Sequence, residues 1–214
     1  MQTVDVLIDG KHSQLEVNQM NPEWYDSIYS HESQYRGSPE DSPYFPVWEK
    51  IIEKIGDMER VADFGCGPGQ FAELLIRRDK WFVLGADFSP KAIEMAEFRI
   101  SHAPVYFTVP KGRFWLTDLY KPWTYSIVKF DCAIFSEVLE HLEHDLVPLN
   151  FLPSNTHVIF SVPSYYTQSH LRVFERAEEI IDHYGKVIDI KDINMVWMDK
   201  DKDYRIYVVD GRKI

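Results

Sequence analysis

The chain has 214 residues, of which 45% are hydrophobic, and this suits one domain with a full apolar core. Its formal net charge of -11 argues against a protein that holds nucleic acid through phosphate contacts. No apolar run reaches the length of a membrane span, the first residues lack signal-peptide character, and two cysteines form no disulfide framework. We expect a cytoplasmic protein, monomeric or homodimeric, without a membrane partner.

The beginning of the chain is predicted to form a small hairpin. Residues 1–20 alternate in apolar side chains up to Asp9-Gly10, a dipeptide typical of two-residue turns, and a poorly ordered segment is the alternative.

Aromatic side chains crowd the next stretch, which also contains several Ser and Pro. These aromatic residues are Trp24, Tyr25, Tyr29, Tyr35, Tyr44, Phe45 and Trp48. An apolar stripe at helical spacing then runs from Val47 to Ile55 and ends at Gly56. We expect the helix to pack against the sheet, and the aromatic stretch either to fill the join or to form a lid. The predicted division is an N-terminal cap, residues 1–56, and a main domain, residues 57–214.

From about residue 57, strand patterns alternate with helix patterns. The predicted strands are Arg60–Phe64, Trp81–Asp87, Phe114–Thr117, Phe130–Phe135, His157–Val162, Val187–Ile190 with an extension towards Trp197, and Tyr204–Val209. Helices are expected after Gly69, after the Ser89-Pro90 cap, and over Val173–Tyr184, where Gly185 ends the helix. This alternation predicts an α/β fold whose parallel sheet binds ligands at the carboxyl ends of its strands.

A glycine-rich loop joins the first of these strands to its helix and favours a particular ligand. Its glycines follow Asp63, and Asp87 ends the next strand, where a carboxylate can bind both hydroxyls of a ribose. A dinucleotide fold would place a small residue at position 70, but the chain has Gln70. Asp63 would repel a pyrophosphate but suits an ammonium group. The pattern favours an adenosine with a cationic amino-acid tail, S-adenosylmethionine.

Here the sequence resembles the class I S-adenosylmethionine-dependent methyltransferases, whose motif D-x-G-C-G-x-G is Asp63-Phe-Gly-Cys-Gly-Pro-Gly69. The resemblance implies a Rossmann-like fold, with a mostly parallel seven-stranded sheet of order 3-2-1-4-5-7-6 and helices on both faces. It also implies an adenine contact at Asp118. The cofactor-binding residues implied are Asp63, Gly65, Cys66, Gly67, Gly69, Asp87, Phe88, Ser89, Asp118, Leu119, Ser136 and Glu137.

The second informative stretch is Glu137-Val-Leu-Glu140-His141, directly after the fourth strand. If it opens a helix, these three polar residues share one face beside the transferable methyl. Carboxylates and imidazoles suit a divalent cation such as Mg²⁺ or Mn²⁺, and His170, after the fifth strand, is a fourth candidate ligand. E-x-x-E-H resembles the metal-assisted branch of the family, which includes the ubiquinone-pathway O-methyltransferases and small-RNA 2′-O-methyltransferases. Metal-free relatives carry the same motif with the first Glu at the cofactor.

The predicted function is methyl transfer from S-adenosylmethionine to a small-molecule or glycan-like acceptor, most simply at oxygen. Such a reaction needs alignment of the reactants and a base for the acceptor proton. The candidate catalytic residues are His141, then His170, with Glu137 as a neighbour of the cofactor or metal. RNA 2′-O-methylation, a nicotinamide-dependent oxidoreductase and a non-catalytic cofactor-binding partner protein are the alternatives.

Overall fold

The computed structural model describes residues 2–8, 11–78, 82–102 and 112–214. The strands within them are β1 (Gln2–Ile8), β2 (Lys11–Val17), β3 (Arg60–Phe64), β4 (Phe82–Asp87), β5 (Gly112–Leu116), β6 (Cys132–Ser136), β7 (His157–Pro163), β8 (Ile188–Asp199) and β9 (Tyr204–Lys213). The α-helices are α1 (Pro22–His31), α2 (Phe45–Ile55), α3 (Gln70–Arg77), α4 (Pro90–His102), α5 (Leu146–Asn150) and α6 (Ala177–Tyr184). Across these ranges, no helix combines the length and apolar character needed to cross a membrane.

Seven strands form one sheet in the order β5-β4-β3-β6-β7-β9-β8. All neighbours pair in parallel except β9, which runs antiparallel to both β7 and β8. Counted from β3, this is the order 3-2-1-4-5-7-6 with the last strand reversed. The predicted Rossmann-like methyltransferase fold is therefore confirmed.

Alternate residues of the central strands pack into apolar clusters on the two faces of the sheet. Along β6, Cys132 and Ile134 belong to one cluster, whereas Ala133 and Phe135 belong to the other, as the two-residue period of a strand requires. The first cluster contains α2, whose Ile51 and other core-facing residues are fully buried. The predicted helix before Gly56 thus packs against the sheet, as expected.

The predicted helix over Val173–Tyr184 begins later, at Ala177. Phe174 is buried, and its N–H donates to the Pro163 carbonyl at the end of β7. The chain before Ala177 is therefore irregular and is held at the end of β7 by Phe174. Tertiary contact at Phe174 overrides the local helical pattern here.

The beginning of the chain forms a separate two-stranded sheet, in which β1 and β2 pair antiparallel from Gln2 opposite Val17 to Ile8 opposite Lys11. The hairpin interpretation is thus confirmed at the level of its strands. The predicted turn residues Asp9-Gly10, and Trp81 at the start of another predicted strand, lie outside the described residues.

Candidate active site

The loop between β3 and α3 turns through backbone conformations that favour glycine. Gly65 and Gly69 have φ angles of 80° and 78°, in the left-handed region. A Cβ atom would lie 2.4 Å from Val138 Cγ2 at Gly65, and 2.9 Å from the Ala96 Cα of α4 at Gly69. Both positions thus combine positive φ with close packing, so the loop depends on the missing side chains.

Asp87, the last residue of β4, holds this loop. Its Oδ2 accepts the Gly67 N–H at 2.9 Å and its Oδ1 accepts the Ser89 N–H at 2.9 Å. Burial raises the pKa of Asp87 to about 6, although these backbone hydrogen bonds oppose the shift. Each oxygen keeps a second lone pair for a ligand, so the carboxylate can join loop and ligand.

Asp63 lies in β3 with 2% of its surface exposed, and its Oδ2 has no hydrogen-bond partner. Burial and, secondarily, the charge of Asp87 raise the pKa of Asp63 to about 7. A buried carboxylate oxygen without a partner is costly, and such groups usually have a ligand role. A cationic ligand in the adjoining cavity would supply the missing partner.

Two further strand ends reach the same cavity. Asp118 and Leu119 follow β5 and line it, and Asp118 Oδ1 accepts the Tyr120 N–H at 2.8 Å. At the end of β6, Ser136 lines the cavity with a buried Oγ that has no partner. The residues predicted to contact the cofactor therefore lie at the carboxyl ends of four parallel strands, β3 to β6, as the fold rule requires.

Glu137 occupies the left-handed region, with a φ of 55°. Its N–H donates to the Ser161 Oγ of β7 at 2.9 Å, and that hydroxyl donates to Glu137 Oε1 at 2.7 Å. The other carboxylate oxygen, Oε2, has no hydrogen-bond partner, and burial raises the pKa of Glu137 to about 7. The strained backbone is thus held by a reciprocal pair of hydrogen bonds at the cavity wall.

The structure corrects the helix expected over the Glu137–His144 stretch. Glu137 leaves helical geometry, and only a 3₁₀ turn over Leu139–His141 follows before α5 begins at Leu146. The prediction that Glu137, Glu140 and His141 share one face of an α-helix is therefore wrong. The bonds of Glu137 to Ser161 explain this, because they turn the chain sharply away from the strand.

Glu140, His141 and His170 nevertheless come together, with potential ligand atoms all within 4.8 Å of one another. His141 Nε2 is 3.6 Å from Glu140 Oε1, and the two imidazole centroids are 5.0 Å apart. Glu137 stands beside this cluster without joining it, since its Oε1 is engaged by Ser161.

Hydrogen bonds fix both imidazoles in the tautomer that leaves Nε2 free to bind a metal ion. His141 Nδ1 lies 3.0 Å from the Ser169 carbonyl and His170 Nδ1 lies 2.9 Å from the Tyr165 carbonyl. A carbonyl only accepts, so each Nδ1 carries the proton and each Nε2 keeps its lone pair. Burial, and secondarily the proximity of His170, lower the pKa of His141 to about 4; burial also lowers the pKa of His170.

Glu140 is fully buried, and neither carboxylate oxygen has a hydrogen-bond partner. Burial, followed by the charge of Glu137, raises the pKa of Glu140 well above its ordinary value. Two orphaned carboxylate oxygens beside two imidazole lone pairs fit the donor set of a divalent cation.

These groups surround one cavity of about 380 Å³, a volume typical of small-molecule sites. Of the predicted site residues, the cavity is lined by Asp63, Gly65, Cys66, Gly67, Asp87, Phe88, Asp118, Leu119, Ser136, Glu137, His141 and His170. Gly69, Ser89 and Glu140 adjoin lining residues: the Gly69 N–H donates to the Cys66 carbonyl, the Ser89 N–H donates to Asp87, and Glu140 lies beside His141.

The N-terminal segment contributes cavity walls that the sequence did not assign to the site. The ring of Tyr25 in α1 lies 5.3 Å from that of Phe88 and 6.1 Å from that of His141, between the cofactor and acid–histidine ends. Tyr29, Tyr35 and Tyr44 also line the cavity. Their aromatic clustering was the available signal. Thr167, Gln168 and Ser169, which precede His170, gave none.

Polar contacts attach this segment to the cofactor loop. Gln70 Nε2 donates to the Gln34 and Gly37 carbonyls at 3.1 and 3.3 Å, and Arg99 Nη2 donates to the Tyr35 carbonyl at 2.9 Å. In α1, Asp26 Oδ1 accepts the Lys91 N–H at the start of α4. Gln70 stands where a dinucleotide-binding fold would have a small residue, and here its side chain binds the N-terminal segment.

A family model described as "Methyltransferase domain" matches residues 40–194, which is more than half of the chain. The chain belongs to this methyltransferase family. The match supports methyl transfer over the nicotinamide alternative, and it begins within the N-terminal segment.

Solved methyltransferase structures share the fold. The N-methyltransferase NodS from Bradyrhizobium japonicum WM9, in complex with S-adenosyl-L-homocysteine, is 16% identical with a TM-score of 0.68, covering 91% of this chain and 99% of that one. The 1,6-didemethyltoxoflavin-N1-methyltransferase from Burkholderia thailandensis is 16% identical with a TM-score of 0.60, covering 93% of each chain. Magnesium protoporphyrin IX methyltransferase from Synechocystis PCC 6803 is 14% identical with a TM-score of 0.58, covering 93% of this chain and 100% of that one. These methyltransferases differ in acceptor, so they do not select the ubiquinone-pathway branch.

Proposed function

We propose that this methyltransferase transfers the methyl group of S-adenosylmethionine to an oxygen of a small-molecule or glycan-like acceptor, assisted by a divalent cation. The observation that carries the proposal is that one cavity is lined both by the Gly65–Gly69 loop with Asp87 and by His141 with His170. A cofactor and an acceptor bound there would be neighbours, and alignment of the two supplies most of the catalysis of methyl transfer.

At the cofactor end, each residue has a distinct task. S-adenosylmethionine supplies a methyl group on a sulfonium, ready for in-line attack. Asp87 would bind the ribose hydroxyls with its remaining lone pairs while it holds the Gly67 N–H. Asp63 would pair with the ammonium group, which satisfies its orphaned Oδ2. Asp118, which lines the cavity, would contact the adenine.

At the acceptor end, Glu140, His141 and His170 would hold the divalent cation, which supplies Lewis acidity towards an acceptor hydroxyl. The fit rests on the two partnerless oxygens of Glu140 and on the Nε2 lone pairs of both histidines. The carbonyls of Ser169 and Tyr165 fix the two rings, as hydrogen bonds to metal-binding histidines commonly do. Without a cation, His141 Nε2 is placed to accept the acceptor proton instead.

We further propose that the segment from Asn18 to Tyr44 is the lid of this cavity. Its support is that Tyr25 spans the two ends while Gln70, Arg99 and the Asp26 contact fasten the segment to α3 and α4. Such a lid would exclude water and position the acceptor.

Calorimetry tests the cofactor. S-adenosylhomocysteine should bind in the micromolar range, about 8 kcal/mol, while NAD and NADP should give no heat. Tight NAD binding without a response to S-adenosylhomocysteine would refute the methyltransferase proposal.

Transfer of labelled methyl to a panel of polyphenol, sugar and RNA acceptors tests the reaction. Chelation should abolish transfer and Mg²⁺ or Mn²⁺ should restore it. His141→Ala should remove turnover while leaving S-adenosylhomocysteine affinity intact, and His102→Ala, at the exposed end of α4, is the matched control. If transfer resists chelation, the cation proposal is refuted, and His141 remains the candidate base. Methylation confined to RNA ribose would favour the RNA alternative over the small-molecule one.

A further inference from the structure

Arg172 lies two residues after His170 and binds the turn that carries Glu140 and His141. Its Nη1 donates to the Leu139 carbonyl at 2.8 Å and also to the Leu142 carbonyl, and its Nη2 donates to the Glu143 carbonyl at 2.9 Å. One guanidinium therefore binds three carbonyls of one short segment.

The turn is short and ends close to these carbonyls. It spans only Leu139–His141, and the Leu139 carbonyl accepts the Leu142 N–H at 3.2 Å. Leu142 is already extended, so the chain leaves helical register there, and Arg172 adds a second donor to Leu139 and binds the carbonyls of Leu142 and Glu143 beyond the turn. The guanidinium carries five N–H donors in a rigid planar fork, whereas a lysine ammonium is a compact group on a flexible stem.

A buried carboxylate forms a salt bridge with the guanidinium of Arg172. Asp145, 3% exposed, places Oδ2 3.3 Å from Arg172 Nη1 and 2.9 Å from His183 Nε2 of α6. The positive charge of the guanidinium is thus paired within the fold, and its plane is held between the carboxylate and the three carbonyls.

The same neighbourhood joins the two halves of the acid–histidine cluster. The Leu171 N–H donates to the Glu140 carbonyl at 2.8 Å, and the His141 imidazole donates to the Ser169 carbonyl. These bonds align the segment of residues 169–172 with the turn, and Arg172 closes the contact at its far end.

We propose that Arg172 is the positioning residue that sets the spacing of His170 from Glu140 and His141. Its guanidinium binds the backbone carbonyls of Leu139, Leu142 and Glu143 and the Asp145 carboxylate, so it acts on the three ligand groups through the backbone that carries them. The inference deepens the proposed function, because the cluster it positions is the proposed divalent-cation site.

The test measures Mn²⁺ binding to the S-adenosylhomocysteine complex by electron paramagnetic resonance. Arg172→Lys keeps the charge and Arg172→Gln keeps one donor group, and neither presents the rigid planar set of donors of the guanidinium. Both should weaken Mn²⁺ binding about 10- to 100-fold, the usual effect of removing a residue that orients metal ligands. S-adenosylhomocysteine affinity should not change. Arg176→Ala, which removes an exposed arginine four residues on, should alter neither.

Amide hydrogen exchange separates this inference from the cation proposal. In metal-free protein, the N–H groups of His141, Leu142 and Leu171, which donate within the turn and across to it, should exchange about tenfold faster in both Arg172 variants than in Arg176→Ala. If wild type binds no Mn²⁺ but exchange rises, the cation proposal fails and the positioning role stands. Unchanged exchange, or unchanged affinity where wild type binds Mn²⁺, overturns the role of Arg172.

Discussion

Replacing Asp63 with Asn should stabilise the ligand-free protein at alkaline pH and at the same time weaken cofactor binding. Asp63 is buried with an orphaned oxygen, and its pKa in the folded protein is about 7, against an ordinary value of 3.8. Because the folded-state pKa is raised, the stability that the protonated carboxyl contributes is full below pH 3.8 and is lost as pH rises through 7.

The size of the effect follows from about 1.4 kcal/mol for each pKa unit, so ionised Asp63 costs the fold roughly 4 kcal/mol at pH 8. Asparagine has no such cost, but its amide nitrogen in place of Oδ2 would lack an acceptor, at about 1–3 kcal/mol. The free energy of unfolding of the variant minus that of wild type should therefore increase by roughly 3 kcal/mol between pH 5 and pH 8.

Urea unfolding of both proteins at pH 5, 6, 7 and 8, without ligand, measures this difference. Asp131→Asn provides the contrast: Arg60 holds the pKa of that carboxyl below 3.8, so the group is ionised in both states from pH 5 to 8, and the difference from wild type should not change with pH. S-adenosylhomocysteine affinity of Asp63→Asn should fall by about 1.5–3 kcal/mol, the range for a hydrogen bond to a charged group. Parallel stability profiles for Asp63→Asn and wild type would refute the electrostatic reasoning, and unchanged affinity would refute the ammonium contact.

Three other predictions concern the two ends of the cavity. Asp87→Ala should cost about 1.5–3 kcal/mol of S-adenosylhomocysteine affinity in calorimetry, and an undiminished affinity would mean that the ribose is bound elsewhere. Gly69→Ala should lower the free energy of unfolding by at least about 1–2 kcal/mol in urea, because it combines positive φ with a clash at Ala96; a neutral effect would contradict the loop geometry. Mn²⁺ affinity should rise with pH, since the cation displaces a proton from Glu140, whose pKa is raised; a flat titration between pH 5 and 8 would exclude that carboxylate as a ligand.

Much of the fold was predictable because its signals are local and repeated. The strand and helix patterns predicted a parallel α/β sheet, the family resemblance implied its strand order, and the loop from Gly65 to Gly69 indicated the edge at which a ligand would bind. Glycine is informative there because no other residue tolerates both the φ angle and the packing against Val138 or Ala96. Asp63 and Asp87 could be predicted as neighbours because both lie at the carboxyl ends of parallel strands, where ligands bind in folds of this class.

The acceptor side was less predictable, because long-range contacts decide its conformation. Glu137 leaves the helical path through bonds to Ser161, 24 residues along the chain, and no local pattern announces them. Arg172 reads in sequence as an ordinary charged residue, yet it binds three carbonyls about 30 residues away. Residue types identified the cluster, whereas its geometry depends on such partners.

The buried carboxyl groups around the cavity favour cationic ligands. Several carboxyl groups lie at or beside its wall, and burial raises the pKa of four of them, those of Asp63, Asp87, Glu137 and Glu140. Among the described residues, no lysine or arginine forms a salt bridge with any of these four carboxyl groups. Cations that arrive as ligands would therefore replace both the proton and the lost hydration of each carboxylate. The cofactor's ammonium and sulfonium would serve one end and a divalent ion the other. The free energy that the empty fold loses by ionising these groups is then recovered on binding, which couples stability to ligand affinity.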